Sequence, residues 1–147
     1  MTPLQDKIVC ITGASSGIGE ACARVFAQEK AKLILIARRH EKLATLKKEL
    51  EKYTTVHTIT LDVRNHDAVQ TAIQSLAAEW AAIDILVNNA GLSRGLEKIV
   101  EGDIADWKEM IDTNISGLLY VSRAIMPGML ARQSGHVINL GSISGRA

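Results

Sequence analysis

Aromatic side chains are scarce in this chain of 147 residues: one Phe, two Trp and two Tyr, or 3% of the total. That scarcity excludes a stacking platform for single-stranded nucleic acid, which needs rings spaced along a groove. An excess of either charge is missing as well. The 17 Lys and Arg stand against 16 Asp and Glu, a formal net charge of +1, which leaves no electrostatic footprint for nucleic acid or an anionic membrane. Cysteine is limited to Cys10 and Cys22. Both fall on apolar positions and read as buried thiols rather than a disulfide, and no spacing suggests a metal site. The start Met1-Thr2-Pro3-Leu4-Gln5-Asp6 lacks a signal-peptide pattern, and no apolar run reaches the ~20 residues of a membrane span. The expectation is a cytoplasmic protein with neither a membrane nor a nucleic acid as partner. What is present, 47% hydrophobic and 22% charged residues, suits one globular domain.

Strand-like and helix-like patterns alternate from end to end, which predicts α/β architecture: a doubly wound parallel sheet wrapped by helices. Residues 7–12 read as the first strand, and the helix after it places Ile18, Ala21, Cys22, Val25 and Phe26 on one face. Residues 33–37 form a continuous apolar run, as in a central strand buried on both faces. Leu43, Leu46 and Leu50 mark the next helix, and residues 56–61 a third strand. A single helix is expected to carry Val69, Ala72, Ile73, Leu76, Ala77 and Trp80 in one stripe. Residues 83–87 make a fourth strand. A long helical stretch, about 106–130, should be interrupted near Asn114 and Gly117 and again at Pro127. Residues 136–140 make the fifth strand. No repeat, linker or low-complexity segment breaks the unit.

The run Val9-Cys10-Ile11-Thr12-Gly13-Ala14-Ser15-Ser16-Gly17-Ile18-Gly19 joins the first strand to the first helix through a glycine-rich turn. Backbone N–H groups and the positive dipole end of such a helix suit a phosphate, and glycine allows a pyrophosphate to approach the main chain. Strand and helix flank the glycines in the order a dinucleotide site requires. In open parallel sheets, ligands bind outside the carboxyl ends of the strands. Polar clusters fall at those ends: Thr12-Gly13, Arg38-Arg39, Asp62, Asn88-Asn89 and Ser142. An acid at the end of the second strand would bond a ribose 2′-hydroxyl. Here Ala37 is followed by Arg38 and Arg39, with no carboxylate before Glu41. A guanidinium fork there matches a 2′-phosphate, hence NADP; the alternative is two solvated arginines at a helix start. Asp62 is a candidate for the adenine amine or for a turn. His40, His57, His66 and His136 show no pairing with an acid or nucleophile and receive no role.

These residues resemble the short-chain dehydrogenase/reductase family. Its Thr-Gly-x-x-x-Gly-x-Gly pattern is matched by Thr12, Gly13, Gly17 and Gly19, and its Asn-Asn-Ala-Gly by Asn88 to Gly91. The family's active-site asparagine is matched by Asn114 and its serine by Ser142. Leu61-Asp62-Val63-Arg64-Asn65, Pro127-Gly128-Met129 and the stretch from Ala78 to Leu92 look like the bacterial NADP-dependent 3-hydroxy acid dehydrogenases, which oxidise serine, allo-threonine and related acids. The resemblance implies a Rossmann-like sheet of order 3-2-1-4-5 and NADP held by Thr12, Gly13, Ala14, Ser15, Ser16, Gly17, Ile18, Gly19, Arg38, Arg39, Asp62, Val63, Asn89, Ala90 and Gly91. It also implies catalytic roles for Ser142 and Asn114, a small-molecule substrate, and assembly into dimers or tetramers.

One departure is plain. The family's chemistry uses a Tyr-x-x-x-Lys pair, but His57 stands four residues after Tyr53 and Ala124 four after Tyr120. Residues 1–147 are therefore expected to be a dinucleotide-binding domain that stops before the Tyr-x-x-x-Lys helix and is inactive by itself. Reduction of 3-oxoacyl groups on a carrier protein, or a catalytically dead nucleotide-binding module, are the alternatives.

Overall fold

The computed structural model describes residues 2–95 and 97–143. Five strands, β1 (Ile8–Thr12), β2 (Lys32–Ala37), β3 (Val56–Thr60), β4 (Ile85–Asn88) and β5 (His136–Asn139), form one sheet in the order β3-β2-β1-β4-β5. All pairings are parallel, with Cys10 beside Ile34 and Leu86 across the centre. The expected order and doubly wound class are what the structure shows. Side chains alternate faces along each strand. Val9, Ile11, Leu33 and Leu35 therefore pack with α1 (Gly17–Gln28) and α2 (His40–Leu50). Ile8, Cys10, Ile34 and Ile36 pack on the other face with α3 (His66–Gln74), α4 (Ala78–Ala81) and α6 (Leu118–Ala131). Both faces are covered, which is why β2 reads as an unbroken apolar run. Burial pushes the Cys10 thiol up to about 12. Among the described residues, no helix is long and apolar enough to cross a membrane.

Four local expectations are corrected. The buried face of α1 is Gly19, Ala23 and Ala27, while Ile18 and Val25 are 64% and 60% exposed. Small residues win because α1 sits close to the loops beneath it: a Cβ on Gly19 would meet the Asn89 amide and the Gly13 carbonyl. The stripe from Val69 to Trp80 belongs to two helices, not one. Ser75 closes α3, its hydroxyl donating to the Ala72 carbonyl at 3.2 Å, and the chain turns before α4 so that Trp80 is buried. Pro127 does not interrupt α6, whose buried stripe of Val121, Ile125 and Met129 runs past it while Pro127 faces outward. His66 Nδ1 lies 2.9 Å from Asp67 Oδ1, so that histidine does have an acidic neighbour.

The break near Asn114 is as anticipated and has a definite form. Between α5 (Ile104–Ile111) and α6 the helix widens into a π-helical turn, Asp112–Gly117. Such bulges recur at functional sites. Gly117 lets this turn approach the segment after β3 closely, since a Cβ there would lie 2.7 Å from Val63 Cγ2.

Candidate functional site

An open cavity of about 700 Å³ lies over the carboxyl ends of the strands. Its floor is the glycine turn. Gly13 and Gly17 have φ of +63° and +56°, a region that side chains disfavour. The two differ in surroundings: a Cβ on Gly13 would lie 2.8 Å from Ala90 Cα, whereas one on Gly17 meets nothing within 4 Å. Gly13 therefore lets β1 and β4 loops touch, and Gly17 keeps the cavity side open. Thr12 fastens the same joint, its Oγ1 accepting from the backbone N–H groups of Asn89 at 3.1 Å and Ala90 at 2.9 Å. The Asn89 amide donates to the carbonyls of Thr12 and Gly13. Of the expected cofactor residues, Gly13, Ser15, Ser16, Gly17, Ile18, Arg38, Arg39, Asp62, Val63, Asn89, Ala90 and Gly91 line the cavity. Thr12 and Ala14 are buried behind the wall with Gly19 and shape it from there.

At the end of β2 the two arginines differ. Arg39 Nη2 donates to Ser15 Oγ at 3.2 Å and to Ser16 Oγ at 2.8 Å. Ser16 is the N-cap residue of α1, yet its side chain makes no cap hydrogen bond. Its hydroxyl is turned instead toward Arg39, over the helix start. Arg38 lines the cavity without such a tether. Two guanidinium groups, two hydroxyls and a helix N-terminus thus gather at one corner with no carboxylate among the residues lining it apart from Asp62. The corner suits a doubly charged anion.

At the end of β3, Asp62 is gripped by Arg64. The guanidinium donates from Nε to Oδ1 at 3.1 Å and Oδ2 at 3.0 Å, and from Nη2 to Oδ2 at 2.7 Å; the Arg64 backbone N–H adds a bond to Oδ1 at 3.0 Å. These hydrogen bonds hold the Asp62 carboxyl below the usual carboxylate range, against an opposing effect of partial burial. Arg64 Nη1 lies 3.7 Å from Glu109 Oε1, and Arg94 Nε lies 2.8 Å from Glu109 Oε2. Arg64 was given no role in the site from the sequence, although its place two residues after Asp62 is the spacing that permits this local fork.

At the end of β4 and β5, the Asn114 amide clamps one residue of the loop after β4: Oδ1 accepts from Leu92 N–H at 2.8 Å and Nδ2 donates to Leu92 O at 2.8 Å. Asn114 and Ser142 line the same cavity. Two further residues line the wall: Asn88, noted in the sequence as part of a strand-end cluster but given no role, and Thr113, which sequence reasoning missed. Asn88 is 4% exposed and donates to Ser122 at 3.0 Å and Asn139 at 2.9 Å, while its Oδ1 has no hydrogen-bond partner among the described residues. Thr113, 8% exposed, has a buried Oγ1 in the same condition. Nothing in a helical pattern marks such atoms; only the packed neighbours do. No group of His, Cys, Asp and Glu among the described residues could hold a metal ion.

A model of the short chain dehydrogenase family matches residues 7–147. The chain belongs to that family. An NADP-dependent 3-hydroxy acid dehydrogenase of Salmonella typhi is 50% identical over 138 residues, 94% of this chain and 55% of the relative. Sulfoacetaldehyde reductase 2 of Chromohalobacter salexigens is 46% identical over 140 residues, 95% of this chain and 56% of the relative. Among solved structures, the closed form of a serine dehydrogenase complexed with NADP+ aligns with a TM-score of 0.89 at 48% identity, over 95% of this chain and 56% of that one. The short-chain dehydrogenase chain described here thus spans little more than half the length of these relatives.

Proposed function

We propose that this chain is the cofactor-binding domain, residues 1–147, of an NADP-dependent oxidoreductase that interconverts a small 3-hydroxy acid and its ketone. The observation that carries the cofactor is the corner where Arg39 is forked onto Ser15 and Ser16 beside Arg38. Its donor set fits a 2′-phosphate, and the carboxylate that would prefer a free 2′-hydroxyl is absent there. The N-terminus of α1, with Gly13 through Ile18, takes the pyrophosphate. Asp62 and Val63 face the adenine, and Asn89, Ala90 and Gly91 border the ribose on the nicotinamide side. The relatives named for NADP and for a 3-hydroxy acid support the same cofactor and substrate class.

When bound, the nicotinamide accepts and returns the hydride. The chain orients it and handles charge. Ser142 donates a hydrogen bond to the substrate oxygen as negative charge develops on it. Asn114 keeps the π-helical turn seated on Leu92, which fixes the loop beside that oxygen. The partner that moves the proton is a Tyr-x-x-x-Lys pair supplied outside these residues, so residues 1–147 bind nucleotide without turning substrate over. Self-association uses the exposed stripe Ile104, Ile111, Ile115, Leu119, Met126 and Leu130 along α5, the π-helical turn and α6. Initial rates of NADP reduction by the whole protein with serine and other 3-hydroxy acids, beside the same rates with NAD and the rates of NADPH oxidation with 3-oxoacyl thioesters, test this reading. Faster turnover with NAD, or with the thioesters, contradicts it.

A further inference from the structure

Three faces of the molecule meet at Asp62. The end of β3 carries it, Arg38 at the end of β2 lies close enough for its charge to act on it, and the helix from α5 into the π-helical turn faces it through Glu109. Glu109 and Gly117 both meet the end of β3, the first through Arg64 and the second against Val63. Arg64 is therefore wedged between two carboxylates, and Glu109 is fixed from its far side by Arg94 at 2.8 Å. A surface ion pair of this kind adds little to stability. Its effect here is orientation.

A carboxylate offers about four lone-pair sites. Three protons engage Asp62: the Arg64 backbone N–H on Oδ1, an Nη2 proton on Oδ2, and the Nε proton shared between Oδ1 at 3.1 Å and Oδ2 at 3.0 Å. Three protons on four sites leave room for one more donor on a side chain that lines the cavity. We infer that Arg64 is a positioning residue for the nucleobase end of the site, presenting Asp62 as a fixed acceptor that takes a purine bearing an amino group and refuses one bearing a carbonyl. The refusal follows from chemistry: a carbonyl oxygen set against an ionised carboxylate leaves two acceptors facing each other without a proton between them. That Asp62 stays ionised follows from the same fork, which holds it below the usual carboxylate range. Glu109, Asp112 and Arg94 act on Asp62 only through Arg64, and Arg38 acts on it directly.

The inference rests on the dinucleotide reading of the cavity. It is tested by equilibrium titration of the chain with NADP and with the same dinucleotide carrying hypoxanthine in place of adenine. The unaltered chain should prefer NADP by about tenfold. Arg64→Gln should bring the two within about twofold, and Arg64→Lys, which keeps the charge and loses the fork, should fall between. A merely structural role would weaken both nucleotides alike and leave their ratio unchanged; that result, or no base preference in the unaltered chain, overturns the inference. Failure of the unaltered chain to bind NADP at all would instead overturn the dinucleotide reading itself.

Discussion

Arg38 and Arg39 look equivalent in the sequence, and a 2′-phosphate role could be assigned to the pair but not divided between them. Geometry separates them: Arg39 is already oriented by two hydroxyls, whereas Arg38 has no such tether and must be ordered by the ligand. Arg39→Ala should cost roughly 1.5–3 kcal/mol of NADP affinity and Arg38→Ala less, with NAD affinity nearly unchanged in both. Isothermal titration of the two variants distinguishes them, and a larger loss at Arg38 would reverse the assignment. Thr113 offers a test that needs no ligand. Its buried Oγ1 lacks a hydrogen-bond partner among the described residues, so Thr113→Val should stabilise the chain by about 1 kcal/mol. A fall in the unfolding temperature of that variant would mean that the hydroxyl is satisfied.

Among the elements, the glycine turn was legible because strand, glycines and helix follow one another in order. The reason for each glycine was not. Gly13 faces Ala90 and Asn89, whereas Gly17 faces open space at a left-handed φ. Gly13→Val should therefore lose nucleotide binding and destabilise the β1–β4 joint together. Gly17→Ala should keep the fold at a cost of about 1–2 kcal/mol. Thermal unfolding and NADP titration of both variants read the difference; equal destabilisation would contradict it. The face of α1 was misread for a related reason. Periodicity finds the bulky apolar residues, and of these Cys22 and Phe26 do pack against the core, but the closest approach belongs to Gly19, Ala23 and Ala27, where only small side chains fit. The single helix expected from Val69 to Trp80 failed because Ser75 offers its hydroxyl to the preceding turn and ends α3 there.

For the molecule as a whole, the sheet order and the covering of both faces were readable from alternation and motif order. Which apolar residues remain exposed was not: Leu119 is exposed, while Ile125 of the same helix is buried against the sheet. The exposed residues from Ile104 to Leu130 recur on one side of a continuous rod, and they account for the self-association proposed above. Leu119→Lys should shift sedimentation toward monomer while leaving NADP affinity intact. An unchanged assembly would place the interface elsewhere. Val137 and Ile138, on the edge strand β5, are half-buried and add to the same tendency.

The proposed function requires a nucleotide site built for a 2′-phosphate. Equilibrium titration of the unaltered chain with NADP and NAD, side by side at one ionic strength, measures that requirement. NADP should bind tighter by about tenfold or more, a preference that weakens as salt screens the arginines. Equal or tighter binding of NAD would contradict it.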